Sequence, residues 1–322
     1  MSFGVQATGR RALPHALPRW VLAAACIGGC SPQSAPGRVE DSQTSGRIQV
    51  VCAPEARDLV ERERATFQAL YPQATLEMRQ GTSREAVAAL FAAQCDLAAI
   101  TRELLPEERA AAVRGGLELE GYPIARDAVV AVVNRRNPVE NVAVQDLRGI
   151  YRGEIKRWSV LGGEDRPVRV VIQPPEADIT AFFEEEVMGG EAIQAPSFYE
   201  SSDSTVVARV ALDPDAIGYV TLAGVRDDCR SLRVASLPGL PYWKPDLEAV
   251  YKGDYPLTRF INTYVRPRGP KLALGFITFL TSRDGQEIVH EAGLVPTTVP
   301  VRFTRRSPMQ SSHGKDAPPQ TP

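Results

Sequence analysis

Histidine and cysteine are scarce in this chain of 322 residues. Its three histidines, His15, His290 and His313, are scattered, and its five cysteines show no Cys-x-x-Cys spacing. Protein sites for zinc or iron–sulfur clusters need such ligands at close spacing. The sequence therefore indicates no metal site, and we expect no cofactor.

Sequence motifs of catalysis are absent as well. The chain has no Gly-x-Ser-x-Gly, no His-Glu-x-x-His and no glycine-rich loop of the kind that cradles phosphate groups. The acidic run FFEEE at residues 182–186 is better explained as a helix with one buried and one solvated face. We predict that the protein is not an enzyme.

The N-terminus lacks acidic residues and carries only a short apolar run. Arg10, Arg11 and Arg19 precede the apolar residues 20–27, and no acid occurs before Glu40. A basic segment, a short apolar core and small residues before a cleavage point are typical of a secretory signal peptide. We predict that residues 1–29 are such a peptide.

The sequence IGGC at residues 27–30 resembles a bacterial lipobox. Cys30 would then be the lipidated first residue of the mature chain, although Cys26 remains an alternative acceptor. A lipid on either cysteine predicts an extracytoplasmic protein anchored to a membrane.

Both ends of the mature chain have the composition of unstructured segments. Residues 30–46 are rich in Ser, Pro, Gln and Gly and predict a flexible tether, and residues 304–322 predict a disordered tail. Removing residues 1–29 takes away three arginines and no acid, so the formal net charge changes from −2 to −5. This balance argues against a nucleic-acid partner.

Three further cysteines lie in the predicted globular part, namely Cys52, Cys95 and Cys229. An odd number cannot all pair within one chain. A bridge between Cys52 and Cys95 is possible if their strands are neighbours, but we favour buried free thiols.

The first half of the chain alternates strand and helix patterns. Short apolar strands at residues 48–52, 75–79 and 96–100 are separated by amphipathic helices, and Thr82 with Glu85 forms a predicted capping box. This order predicts a parallel sheet with right-handed crossovers and an α/β fold.

Residues 121–158 contain the most informative sequence pattern of the remaining chain. Residues 127–134, DAVVAVVN, predict a strand buried on both faces; a turn at Asn137 and Pro138 and a short helix ending near Gly153 follow.

This order resembles the phosphate-type ABC transporter substrate-binding proteins. Their strand "AVVVNPxNPV" and turn "G-x-I-x-x-W" are matched at residues 127–139 and at Gly153, Ile155 and Trp158. The segments DPDAIGYV at 213–220, YPL at 255–257 and TSRDGQEIV at 281–289 extend the resemblance over about residues 47–300.

The resemblance implies a two-lobed type II periplasmic-binding fold, each lobe a mostly parallel sheet flanked by helices. We expect lobe one at residues 47–122 and 254–303 and lobe two at 123–253. Two chain crossings, at about 121–126 and 250–256, would form a two-segment hinge that allows closure around a ligand.

The resemblance also implies a ligand site at three helix N-termini and the turn after the third strand. Thr82 and Ser83, with Thr101 and Arg102, keep hydroxyl groups at two of these places. For Thr82 a helix cap, and for Arg102 a solvated side chain, are equally good explanations.

Two other places depart from the family pattern. CAPE at residues 52–55 replaces "GSST", so Glu55 adds a negative charge; IQPPEAD at residues 172–178 replaces "R-x-x-G-S-G-T". Ile172 stands for the arginine, and Glu176 and Asp178 stand for hydroxyl donors. Two carboxylates about 4 Å from a dianion cost several kcal/mol at an effective dielectric constant of ~20. Tight phosphate binding is therefore not expected.

Two explanations remain open for these carboxylates. Asp178 could cap its own helix, with Glu176 in solvent, which we favour. Alternatively, Glu55, Glu176 and Asp178 line an acidic cleft that selects a cationic or polyhydroxyl solute.

The sequence thus predicts a monomeric, lipid-anchored binding protein that delivers a small solute, phosphate or another oxyanion by resemblance, to an ABC permease. The alternative is a protein of the same fold that has lost its anion site and acts in interaction or signalling.

Overall fold

The computed structural model describes residues 40–297. The predicted signal peptide, the candidate lipid acceptors Cys26 and Cys30, most of the tether and the tail at 304–322 lie outside the described residues. Within residues 40–297, no helix combines the length and the apolar character that crossing a bilayer requires.

The described part alternates strands and helices along most of its length. The strands are β1 Gly46–Cys52, β2 Ala74–Gln80, β3 Leu97–Ile100, β4 Glu120–Asn134, β5 Asn141–Ala143, β6 Arg169–Ile172, β7 Ser197–Tyr199, β8 Ala216–Thr221, β9 Cys229–Ser231, β10 Arg233–Ala235, β11 Thr258–Val265 and β12 Val295–Pro296. The helices are α1 Arg57–Leu70, α2 Ser83–Phe91, α3 Pro106–Arg114, α4 Val144–Tyr151, α5 Asp178–Glu186, α6 Asp203–Leu212, α7 Leu247–Lys252, α8 Lys271–Leu280 and α9 Arg283–Glu291. Short 3-10 turns cover Pro54–Ala56, Trp158–Leu161 and Leu222–Gly224.

A continuous sheet has the strand order β2-β1-β3-β11-β4-β8-β6-β7, and β9 and β12 also pair with β4. Its two outer parts are parallel, β2-β1-β3 at one end and β8-β6-β7 at the other. The central strands β11 and β4 pair antiparallel with each other and with their neighbours. The predicted parallel crossovers of the first three strands are confirmed.

Strand β4 passes from one hydrophobic core into another. Ile124 and Ala125 pack in a core with β1, α1 and α8, whereas residues 128–133 pack in a second core with β6, α5 and β8. Strand β11 makes the same passage in reverse, because Leu257, directly before the strand, belongs to the second core and Ile261 within it to the first. The fold is therefore α/β and two-lobed, with β4 and β11 running between the lobes.

Trp158 links two of the segments that carry the family resemblance. Its side chain is buried in the second core, and its indole N–H donates to the backbone oxygen of Asp215 at 3.0 Å. Asp215 lies in the DPDAIGYV segment directly before β8. The bond therefore fixes the turn after α4 against the start of β8.

Trp158→Phe is expected to lower the free energy of unfolding by about 2 kcal/mol, from one lost hydrogen bond and a small cavity. Urea denaturation measures this change. Trp243→Phe is the control, because Trp243 is more than a third exposed. Equal losses in both variants would contradict the assigned role of the indole N–H.

The cysteines of the described part confirm the favoured prediction. Cys52, Cys95 and Cys229 are all buried free thiols. Cys52 ends β1 and Cys95 lies just before β3; these two strands are paired neighbours, yet both thiols are free.

Candidate functional site

The N-terminus of α2 is capped by its own residues and also bonded from the other lobe. Thr82 Oγ1 accepts from the N–H of Glu85 at 3.2 Å, and Glu85 Oε2 accepts from the N–H of Thr82 at 2.8 Å, which is the predicted capping box. The next residue, Ser83, directs both its N–H and its hydroxyl group to Asp178 Oδ2, at 2.9 and 2.6 Å. Ser83 belongs to the first lobe, and Asp178 opens α5 of the second.

The N-terminus of α5, in the second lobe, is likewise bonded by a carboxylate of the first lobe. Its N-cap residue, Ala177, has no side-chain acceptor, and the N–H of Ile179 donates to Glu55 Oε1 at 3.1 Å. Glu55 lies in the 3-10 turn that follows β1. Each helix therefore receives a carboxylate from the opposite lobe.

This arrangement corrects the favoured sequence interpretation of Asp178. The residue occupies the first position of α5 rather than its N-cap, and its carboxylate reaches Ser83 instead of its own helix. A carboxylate at a helix N-terminus is stabilised by the unpaired N–H groups and by the helix dipole. Here that stabilisation acts between lobes, so it favours their contact.

A buried ion pair lies where the two connecting strands pass between the cores. Asp127 of β4 and Arg259 of β11 are direct cross-strand partners, and Arg259 Nε donates to Asp127 Oδ2 at 2.9 Å. Both side chains are only 2–3% exposed. Arg259 Nη2 is also 2.9 Å from the same oxygen, within ion-pair distance but without hydrogen-bond geometry. The guanidinium carbon lies 5.8 Å from the ring centre of Phe182 in α5.

Four buried polar atoms of this region have no hydrogen-bond partner among the described residues. They are Thr101 Oγ1, Glu55 Oε2, Arg259 Nη1 and Arg259 Nη2. Thr101 is linked to the α2 terminus, because its N–H donates to Ser83 Oγ at 3.3 Å. Leaving such atoms unpaired costs about 1–3 kcal/mol each, and more when the group is charged. Folded proteins retain few such groups, so their concentration beside the two helix termini indicates a functional region.

The charges of this region act on one another. Burial raises the pKa of Glu55, the positive charge of Arg259 opposes that rise, and the negative charge of Asp178 adds to it. Burial alone would lower the pKa of Arg259, but the charges of Asp127 and Glu55 raise it above its ordinary value. The region thus holds three carboxylates and one buried guanidinium, a balance unfavourable to an added anion.

Only some of the residues predicted for the site come together in the structure. Ser83, Thr101, Asp178 and Glu55 come together at the lobe junction, and Thr82 is next to it as the cap of α2. Arg102 instead makes a two-pronged ion pair with Glu108, with both N–O distances at 2.8 Å.

Glu176 is exposed to solvent, whereas Ile172 is buried in the second core and brings no charge to the junction. Whether any of these residues contacts a ligand stays a prediction.

Sequence reasoning missed Arg259. The residue lies in TRFINTYV, where it interrupts an apolar strand pattern, and Asp127 starts the apolar run of the long strand. Unpaired charges are rarely found inside buried strands, so each residue implied a partner. What the sequence did not show was that β4 and β11 are adjacent in this register.

Within residues 40–297, no group of three or more His, Cys, Asp or Glu side chains could hold a metal ion.

A two-lobed α/β frame with helix N-termini facing each other across the lobe junction defines the class of periplasmic-type binding proteins. A family model described as a PBP superfamily domain matches residues 39–284, and the chain belongs to this superfamily. This assignment and the relatives described next confirm the resemblance found in the sequence.

Curated relatives cover most of the chain. The protein is 26% identical over 284 residues to the phosphate-binding protein PstS of Bacillus subtilis, a match covering 86% of this chain and 90% of that relative. It is 23% identical over 294 residues to the protein of the same name from Pseudomonas aeruginosa PAO1, again covering 86% and 90%.

Solved structures share the fold. A putative phosphate ABC transporter substrate-binding protein with bound phosphate from Clostridium perfringens matches with a TM-score of 0.68 and 23% identity, over 78% of this chain and all of that chain. An ABC-type phosphate transport receptor from Vibrio cholerae matches with a TM-score of 0.68 and 22% identity, over the same shares.

Proposed function

We propose that the protein is an extracytoplasmic, lipid-anchored solute-binding protein of an ABC importer. It binds a small solute between lobe one (residues 47–122 and 254–303) and lobe two (residues 123–253) and docks on a permease as a monomer. The observation that carries this proposal is the meeting of the α2 and α5 N-termini at the junction, with Ser83, Thr101 and Arg259 beside them. Membership in the PBP superfamily supports it.

The names of the relatives suggest phosphate or another oxyanion as the solute. The junction of this chain differs in charge, because Glu55 and Asp178 place acceptors where an anion needs donors. A carboxylate accepts hydrogen bonds but donates none when ionised. We therefore propose a solute other than free phosphate, one that carries its own donors, such as a cationic or polyhydroxyl molecule.

A second candidate function is favoured by the bonds across the junction. Carboxylates of each lobe bond the helix terminus of the other, so the chain itself supplies contacts that hold the lobes together. A protein of this kind would act as an interaction or signalling module and would transport nothing.

A solute panel separates the two candidates. Under the transport proposal, at least one cationic, sugar or oxyanion solute raises the melting temperature of the purified protein, since a ligand that binds only the folded state stabilises it by mass action. Saturation at 100 times the dissociation constant corresponds to about 2.7 kcal/mol. If no member of a broad panel changes the melting temperature or the small-angle scattering radius, the transport proposal is contradicted and the second candidate stands.

A further inference from the structure

The lobe junction contains two carboxylates in the positions that helix N-termini offer to anions. Asp178 accepts the N–H and the hydroxyl group of Ser83, and Glu55 accepts the N–H of Ile179. Both helices, α2 and α5, have nine residues, and each donor belongs to the first turn. The first turn carries the partial positive charge of the helix and its unpaired N–H groups.

We propose that Glu55 and Asp178 are built-in anionic ligands. The carboxylates occupy an oxyanion site formed by the α2 and α5 N-termini, Thr101 and Arg259, and thereby exclude free phosphate while they hold the lobes together. The proposal concerns the occupant of the junction and does not depend on whether the protein transports a solute.

Two buried polar groups support an anion site in addition to the helix termini. Thr101 is 1% exposed, its N–H bonds Ser83, and its hydroxyl group has no partner among the described residues. Arg259 is 3% exposed, and its Nη1 has no acceptor there either. A hydroxyl and a guanidinium N–H are donors that a tetrahedral oxyanion accepts well.

Local sequence explains why the carboxylates reach across instead of capping their own helices. The N-cap of α5 is Ala177, which offers no acceptor, so the N–H of Ile179 is left for Glu55. Asp178, at the first helical position, cannot occupy the N-cap and is free to contact Ser83. The N–H groups that a free anion would need are therefore already bonded.

The charges at the lobe junction also oppose the binding of free phosphate. Arg259 is paired with Asp127, so its positive charge is already balanced before Glu55 and Asp178 are counted. Both of these carboxylates act on Arg259 electrostatically. A phosphate dianion entering the intact site would face two uncompensated negative charges. Removing these charges should uncover the donors and leave a site for an oxyanion.

The test is a calorimetric titration of the double variant Glu55→Gln/Asp178→Ser with inorganic phosphate. The variant removes both charges and frees the Ser83 donors, because serine is too short to replace aspartate in the contact. We expect it to bind phosphate at least 10-fold more tightly than the unmodified protein. Its small-angle scattering radius should be larger than that of the unmodified protein and should decrease when phosphate is added.

Two further variants keep the test decisive. Glu185→Gln/Glu186→Gln removes the same number of charges from exposed positions of α5 and should bind phosphate no better than the unmodified protein. Asp178→Asn keeps the side-chain shape and should fold even if the double variant does not, with a smaller gain of the same sign. The proposal is overturned if neither junction variant gains affinity, or if the exposed-charge control gains as much.

Discussion

Replacing Arg259 by methionine is expected to lower the free energy of unfolding by about 3–5 kcal/mol. The guanidinium is buried against Asp127 at 2.9 Å, with both side chains 2–3% exposed. Without Arg259, the carboxylate of Asp127 keeps the N–H of Leu222 as a donor but loses its countercharge in an environment closed to water. The remaining unpaired charge, more than the lost contact, accounts for the size of the effect. Urea denaturation measures it.

Two controls show whether burial is the cause. Asp127→Asn added to Arg259→Met removes the unpaired charge and should recover most of the lost stability. Arg47→Met breaks the exposed pair with Glu77, whose side chains are 69% and 42% exposed, and should change stability by less than about 1 kcal/mol. A similar loss in the Arg259 and Arg47 variants would refute the account of the buried pair.

Replacing Glu63 by glutamine is expected to stabilise the protein at alkaline pH by roughly 4 kcal/mol near pH 8. The carboxyl group of Glu63 in α1 is fully buried, and neither oxygen has a partner within residues 40–297. Burial raises its pKa from 4.5 to about 9. Because the folded-state pKa of Glu63 is raised, ionisation of this group costs no stability below about pH 4.5 and costs progressively more as the pH rises toward 9. Glutamine cannot ionise and removes this decrease.

The measurement is the free energy of unfolding at about pH 4 and pH 8. Glu63→Gln should match the unmodified protein at the lower pH and exceed it at the higher one. Glu61→Gln is the control: Glu61 is a neighbour in the same helix, but it pairs with Arg64 near solvent, and that hydrogen bond lowers its pKa. Stabilisation by both variants, or by neither, would be inconsistent with a buried neutral Glu63.

Local features of the fold were predictable because they depend on neighbouring residues. The capping box of Thr82 and Glu85 is an interaction over three positions, and the strand in the run before Asn134 follows from its apolar residues alone. The position of Ser83 at the lobe junction followed from the rule that strands in open parallel sheets end beside helix N-termini.

The lobe-to-lobe contacts were not predictable in the same way. The bond between Glu55 and Ile179 joins residues 124 positions apart, and that between Ser83 and Asp178 joins residues 95 apart. Neither local sequence pattern indicates which residues of the two lobes contact each other. For this reason the sequence suggested a cap for Asp178, which is the common role of aspartate near a helix start.

The most direct test of the account is a calorimetric titration of the unmodified protein with inorganic phosphate at neutral pH and low salt. Carboxylates of the chain already bond the helix termini that an anion would use. We therefore expect a dissociation constant above about 1 mM, which corresponds to a binding free energy no stronger than about −4 kcal/mol. A submicromolar dissociation constant would show that Glu55 and Asp178 do not occupy the anion site, and the central claim would be wrong.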